Sequence, residues 1–404
     1  MNKSTIRILV LDDESFMLKL LAHMLAGLGY TMVTTCDNGH AALERIDASD
    51  SCPNLILLDL NMPGMDGIEF VRKLVEHNYV GSLILVSSEN ERVLRMAEKL
   101  IQAHRITMLG HLNKPVSLAG LSALLAKSVN VEHTPHKARE AYDADELRKA
   151  IAGGELVNYY QPKVAVATGE LVGVETLVRW RHPVDGLVLP DQFIGLAEEH
   201  RLIDGLTRVV LTGAMAQSSI WRQAGLRLRV AVNVSMDNLS SVAFADFVVE
   251  AAAAADVAPQ DIVLEVTESR LMLDQRAPLE VLTRLRLKRF RLSIDDFGTG
   301  HSSLTQLRDI PFDELKIDQS FVHGAARDET ARAIYDASLG LGKQLGMEVV
   351  AEGVEDHDDW ELVRRTRCDL AQGYFIARPM PAADLAGWIE TWQGRMQQWP
   401  AKVR

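Results

Sequence analysis

The sequence predicts an α/β protein of two units: a flavodoxin-like, doubly wound sheet of five βα units, then a modified TIM-type (β/α)8 barrel. Three observations predict it. Apolar strand-like runs alternate with helix-periodic runs along most of the 404 residues. The alternation lapses once, over residues 128–145. Before the lapse it makes five units in about 125 residues, and after it eight candidate strands in about 250.

The first unit, residues 1–127, begins with the apolar strand IRILVLDD, Ile6–Asp13, and the glycine-stopped helix SFMLKLLAHMLAGLG. TMVTTC and GHAALERI repeat the pattern, as do PNLILLDL (Pro53–Leu60) and GIEFVRKLVEH. SLILVSS (Ser82–Ser88) with RVLRMAEKLIQA, then ITMLGHL, complete it. The lapse, SVNVEHTPHKAREAYDAD, is charged and proline-containing and reads as a linker. DELRKAIAGGE then makes a short helix that opens the second unit, residues 146–395.

The second unit's candidate strands are Val157–Val166, Leu171–Trp180, Arg229–Ser235, Asp261–Ser269, Arg291–Asp296, Glu314–Phe321, Met347–Val354 and Leu370–Ala377. Only ATGE joins the first two, too short for a helical crossover, so they form an antiparallel hairpin and the barrel starts irregularly. The alanine run Ala251–Ala255 is helix. Trp180, Trp221 and Trp360 are packing residues, and His104, His133 and His136 are solvated.

Composition narrows the function. A net charge of −12 argues against nucleic acid or an anionic membrane as partner, and no apolar run reaches membrane-span length. No DNA-binding segment is expected. The start MNKSTIRILVLDDES is no signal peptide, and three scattered cysteines (Cys36, Cys52, Cys368) give neither a disulfide framework nor a zinc motif. The expected location is the cytoplasm.

Two sets of strand-end residues carry chemistry. In the first unit Asp12 and Asp13 follow strand one, Asp59 ends strand three, Ser87 ends strand four and Lys114 follows strand five. A doubly wound sheet brings these ends to one crevice. Three carboxylates there ask for a divalent cation, and Mg²⁺ suits carboxylate oxygens. An aspartate beside it can accept a phosphoryl group, with Ser87 and Lys114 to bind the added oxygens. In the second unit Glu175, Asn233, Glu265, Asp295, Asp296, Lys316, Glu352 and Gln372 end successive strands, around one barrel mouth. So many acids would repel each other and any anion. Two Mg²⁺ or Mn²⁺ ions resolve this, an arrangement suited to phosphate-ester hydrolysis.

VLDDE, LLDLNMPGMDG, LVSS and NKP resemble the response-regulator receiver domain over about residues 4–126. The resemblance implies Mg²⁺ at Asp12 and Asp13, phosphorylation of Asp59 by a sensor histidine kinase, phosphoryl contacts from Ser87 and Lys114, and a cis Lys114–Pro115 bond. His111 stands at the usual switch aromatic and Val116 where Phe is frequent, so the aromatic switch is not expected in its usual form.

YYQPKV, GVETLVRWRHP, AVNVS, LEVTES, DDFGTGHSSL, LKIDQSFV, VVAEGVE and AQGYFIARPMP resemble the EAL-domain phosphodiesterases of cyclic di-GMP, over about Asp145–Trp388. By that resemblance Glu175, Asn233, Glu265 and Asp295 bind one metal and Asp296 helps bind the second. Lys316 orients water and Glu352 is the general base or a metal-site carboxylate. Gln161, Arg179 and Gln372 hold the nucleotide, Glu268 anchors the loop at Phe297–Ser303, and Glu355 lies beside the site. The implied reaction is hydrolysis of cyclic di-GMP to linear pGpG, controlled by the receiver, with the enzyme itself the output. The alternative is a non-hydrolysing cyclic di-GMP receptor acting through protein contacts; a weaker one is another cyclic dinucleotide as substrate. Both domain types often self-associate, so a homo-oligomer is expected. Thr176 replaces the usual Ala and His301 a loop aromatic. Strand alternation turns Thr176 away from the face of Glu175.

Overall fold

The protein, seen in a computed structural model, is described except at residues 1, 2, 4, 5, 49–51, 78, 90, 104, 105, 131–141, 268–275, 300–303 and 398–404. His104, His133, His136, Glu268 and His301 therefore lie outside the described residues. The chain divides into two units, Met1–Lys137 and Ala138–Arg404.

The first unit is one parallel sheet of β1 (Arg7–Leu11), β2 (Met32–Cys36), β3 (Leu55–Asp59), β4 (Ser82–Ser87) and β5 (Thr107–Asn113). The strand order is β2-β1-β3-β4-β5. The apolar runs are continuous because helices cover both faces. Along β3, Ile56 and Leu58 enter one core while Leu55 and Leu57 enter the other. The helix Gly67–Glu76 follows β3 and starts on Asp66, whose side chain accepts from Glu69 N–H. Strand order reverses between β1 and β3, so the crevice opens above their C-terminal ends.

The second unit is a closed barrel of eight strands. Antiparallel β6 (Leu156–Ala165) and β7 (Leu171–His182) form the expected hairpin. β8 (Gly186–Val188) extends β7 on its outer side. β9 (Arg229–Val234), β10 (Ile262–Thr267), β11 (Arg291–Phe297), β12 (Glu314–Ile317), β13 (Glu348–Ala351) and β14 (Leu370–Ala371) continue in parallel from β7. β14 closes the ring by pairing antiparallel with β6, and β15 (Met380–Pro381) adds to the far end of β6.

Three strand expectations were too long: Glu314–Phe321, Leu370–Ala377, and Met347–Val354, whose strand is only Glu348–Ala351. After Ile317 the chain turns into the helix Gln319–Val322, started by the Asp318 side chain accepting from Ser320 N–H. After Ala371 it leaves the sheet at Gly373, φ +156°, where a Cβ would meet the Val354 backbone at 2.2 Å. Beyond Ala371 apolar residues continue because Ile376 and Ala377 are buried in the loop, whereas beyond Ile317 the chain is polar, with Gln319 and Ser320 exposed. Trp180, Trp221 and Trp360 are all buried packing residues. Ala251–Ala254 are helical within Ala243–Ala254, and Ala255 caps that helix.

Candidate active site

Each unit gathers its strand-end acids around a lysine. In the first unit the carboxylates of Asp12, Asp13 and Asp59 offer oxygens within 4.8 Å of one another. Lys114 Nζ donates to Asp59 Oδ2 at 2.7 Å and lies 2.9 Å from Asp12 Oδ2. Asp12 Oδ2 is buried, and its one partner among the described residues is this ion pair. Such an oxygen fits a cation ligand. Burial pushes the Asp12 carboxyl above its ordinary range, against the pull of Lys114. Ser87 is fully buried and its hydroxyl accepts from Glu89 N–H. The Lys114–Pro115 bond is cis. His111 Nδ1 lies 2.7 Å from Glu98 Oε1, tying β5 to the helix Glu91–Ala103, and Val116 is buried in the core.

In the barrel the ring of inward residues meets at Lys316. Its Nζ lies 2.8 Å from Glu352 Oε1, 3.0 Å from Glu265 Oε2, 3.0 Å from Asp295 Oδ1 and 3.6 Å from Glu175 Oε2. Asn233 Nδ2 donates to Glu175 Oε1 at 2.9 Å. Gln372 Nε2 donates to Glu175 Oε2 and to Gln161 Oε1. β6 runs opposite to β7, and the register Gln161↔Glu175 puts these two side by side. Thr176 points outward into the packing, where its hydroxyl has no partner.

Asp295 and Asp296 both reach the mouth, which plain alternation forbids. The reason is local. Asp296 takes φ +56°, and the β11–β12 register slips between Ile294 and Phe297. Two acid sets result, Glu175–Glu265–Asp295 and Asp295–Asp296–Glu352, each with ligand oxygens within 4.8 Å of one another. Asp295 belongs to both.

The electrostatics follow from burial. Glu265 is fully buried, which opposes ionisation, yet Lys163 and Lys316 together hold its carboxyl down to about 2. Burial pushes Glu352 well above the ordinary carboxylate range against the pull of Lys316, with Asp295 and Glu175 adding to the push. Burial raises Glu175 too, with Lys316 opposing. Burial pulls Lys316 downward, and the four surrounding acids overcome it. Four site carboxylates and Glu314 thus share two ammonium groups, and Asp296 adds a further acid beside them, a deficit that two divalent cations would close. The ligand set is all oxygen, and Gln372 Oε1 is a buried acceptor without a donor. Both observations fit hard cations carrying water.

A cavity of about 300 Å³ opens above these residues, lined also by Leu177, Asp318, Gln319, Glu355 and Tyr374. Gly353, φ +64°, lets the chain after Glu352 pass Gln319, where a Cβ would meet that side chain at 2.3 Å. Arg179 shares the inward face of β7 with Glu175 and Leu177, its guanidinium 5.6 Å from the Tyr159 ring centroid. Glu355 is exposed on the rim, and its N–H is held by Asp359. Sequence reasoning missed Lys163 and Glu314, although both sit at inward positions of strands it had placed.

A doubly wound domain with an acid crevice, joined in one chain to a barrel whose mouth is ringed by acids, defines a two-domain α/β protein with two acid clusters that could each hold a cation. The receiver family, "Response regulator receiver domain", matches residues 8–126, and "EAL domain" matches residues 144–379. Cyclic di-GMP phosphodiesterase RocR of Pseudomonas aeruginosa is 32% identical over 380 residues, covering 93% of this chain and 96% of RocR. The bifunctional diguanylate cyclase/cyclic di-GMP phosphodiesterase MucR of the same organism is 41% identical over 241 residues, 59% of this chain but only 35% of MucR. The solved PaMucR phosphodiesterase, in complex with c-di-GMP, superposes with a TM-score of 0.57 at 41% identity, covering 60% of this chain and 98% of that one. The chain belongs to the EAL-domain family and carries an N-terminal response regulator receiver domain. Among the described residues no helix is long and apolar enough to cross a membrane.

Proposed function

We propose that this chain hydrolyses one phosphodiester of cyclic di-GMP, giving linear pGpG, and that phosphorylation of Asp59 controls the rate. The observation that carries the hydrolytic reading is the pair of acid sets sharing Asp295, with Lys316 between them. Glu175, Asn233, Glu265 and Asp295 would hold one Mg²⁺ or Mn²⁺, and Asp296 would help hold a second. When bound, two such ions would lower the pKa of a water and neutralise charge on the leaving oxygen. Glu352, 2.8 Å from Lys316 and beside Asp295 and Asp296, takes the proton of the attacking water. Lys316 orients that water, and Gln161, Arg179 and Gln372 hold the nucleotide, Arg179 at phosphate. Glu355 borders the cavity. Glu268, the proposed loop anchor, is outside the described residues.

In the same reading a sensor histidine kinase supplies the phosphoryl group, Mg²⁺ sits at Asp12 and Asp13, and the chain works as a homo-oligomer in the cytoplasm. Residues 1–127 are the receiver domain, 128–145 the linker and 146–395 the catalytic domain. The test is chromatography after incubation with cyclic di-GMP and Mg²⁺ or Mn²⁺, with and without receiver phosphorylation. Formation of pGpG is expected. Tight binding without pGpG would establish the receptor alternative instead.

A further inference from the structure

The barrel interior holds a lysine that the proposed chemistry does not use. Lys163 lies on β6, its residue only 3% exposed. Its Nζ is 2.7 Å from Glu265 Oε1 and 3.0 Å from Glu314 Oε1. Lys316 takes the other oxygen of the same Glu265 at 3.0 Å. Interiors of such barrels are ordinarily filled by branched apolar side chains. A buried ion pair returns little net stability, so stability alone gives no reason for a lysine here. The register makes room for it. Lys163 stands opposite Gly173, two residues deeper than the Gln161–Glu175 pair. Beside it is a void of about 10 Å³ bordered by Lys163, Gly173, Arg229 and Glu314, about the size of one water.

We infer that Lys163 is a positioning residue for the proposed hydrolysis: it pins the inner oxygen of Glu265 so that the outer oxygen stays aimed at the cation position. The inference rests on the hydrolase reading above. Lys316 cannot do this alone, because its ammonium is shared among four acids. Lys163 touches Glu265 and Glu314 only among the described site acids, and Glu314 lies one step below Lys316 on the inner face of β12.

Geometry and plain electrostatics predict opposite signs. Removing a positive charge beside a ligand should tighten cation binding if charge alone mattered. Removing a pin should weaken it, and loss of such a partner typically costs about 10–100-fold in metal affinity or activity. The test uses the full chain with Asp13→Asn throughout, so that the receiver acids add little to the signal. Lys163→Met alone strands Glu314 in the interior and can fail to fold, so the decisive variant is Lys163→Met with Glu314→Gln. Calorimetric titration with Mn²⁺ is expected to show about tenfold or weaker binding, with kcat lowered similarly and KM little changed. Glu314→Gln alone keeps an acceptor for Lys163 and is expected to bind Mn²⁺ like the parent. Binding by the double variant within about threefold of the parent, or tighter, overturns the inference. So does an equal loss in Glu314→Gln alone. The calorimetric arm needs no turnover: a parent chain that binds Mn²⁺ and cleaves nothing refutes the hydrolase reading, while the affinities still decide the role of Lys163.

Discussion

Replacing Lys316 by Met separates charge balance from catalysis. The ammonium is 1% exposed, within 3.0 Å of Glu265, Asp295 and Glu352, and 3.6 Å from Glu175. Removing one partner of a buried ion pair costs about 3–5 kcal/mol, because the remaining charge is stranded. In a domain of this size each kcal/mol moves the midpoint by about 2–4 °C, so the cation-free barrel should melt roughly 6–20 °C lower. The deficit has a definite pH sign. Burial already holds Glu175 and Glu352 above the ordinary range, and losing Lys316 raises them further. A carboxyl raised in the folded state supports folding below its unfolded pKa, and that support is lost as pH rises through the folded pKa. The deficit is therefore smaller near about pH 5 than near about pH 8. Mn²⁺ should remove most of it, since a bound cation replaces the missing charge, while turnover stays about 10²–10⁴-fold down for want of water orientation. Calorimetry in EDTA and in Mn²⁺ at both pH values, with a pGpG assay, reads all arms. A cation-free midpoint unchanged within about 2 °C, or a deficit that Mn²⁺ leaves intact, refutes the argument.

Three further outcomes are expected. Glu352→Gln should keep nucleotide binding by calorimetry and lose about 10²–10⁴-fold in turnover; retained turnover removes Glu352 as base. Mn²⁺ uptake should release protons and strengthen with pH, because Glu175 and Glu352 must shed protons held by burial; titration in buffers of different ionisation enthalpy would show it, and zero release would contradict it. Asp59→Asn should take up no phosphoryl group from a small-molecule phosphodonor, as read by intact mass; a mass increase equal to the parent's would place the acceptor elsewhere.

Much of this was legible in strand ends. Sequence alternation placed Glu175, Asn233, Glu265 and Asp295 on separate strands, and the structure joins them through Lys316 and Asn233. The ATGE hairpin was legible because four residues cannot make a parallel crossover. The length of β12 was not. Asp318, Gln319 and Ser320 break the apolar run after Ile317, and Asp318 caps a helix, a local signal passed over because Phe321 and Val322 resume apolar character beyond it. Lys163 was passed over for a related reason. A lysine in an apolar strand reads as an outward residue, although Lys163 is two residues from Gln161 and shares its inward face through the register of β6 with β7. The φ of Asp296 is likewise a product of the register slip with β12, a non-local fact.

Lys114 and Lys316 answer the same problem in the two domains. Each is an ammonium held among carboxylates that a cation would also satisfy, Lys316 buried and Lys114 half-buried, and each acid group keeps a buried oxygen that makes no hydrogen bond, Asp12 Oδ2 in one and Gln372 Oε1 in the other. A lysine tethered to a strand end cannot occupy the cation's place fully, since its stem approaches from one side. It can keep the acids close enough to fold without the ion. That lowers the reorganisation needed on binding, because the ligands already converge. It also sets a limit: the lysine's charge competes with the cation for the same oxygens. A site with more acids than lysines resolves the competition in the cation's favour, and the barrel, with Asp295 counted in both acid sets, carries the larger excess.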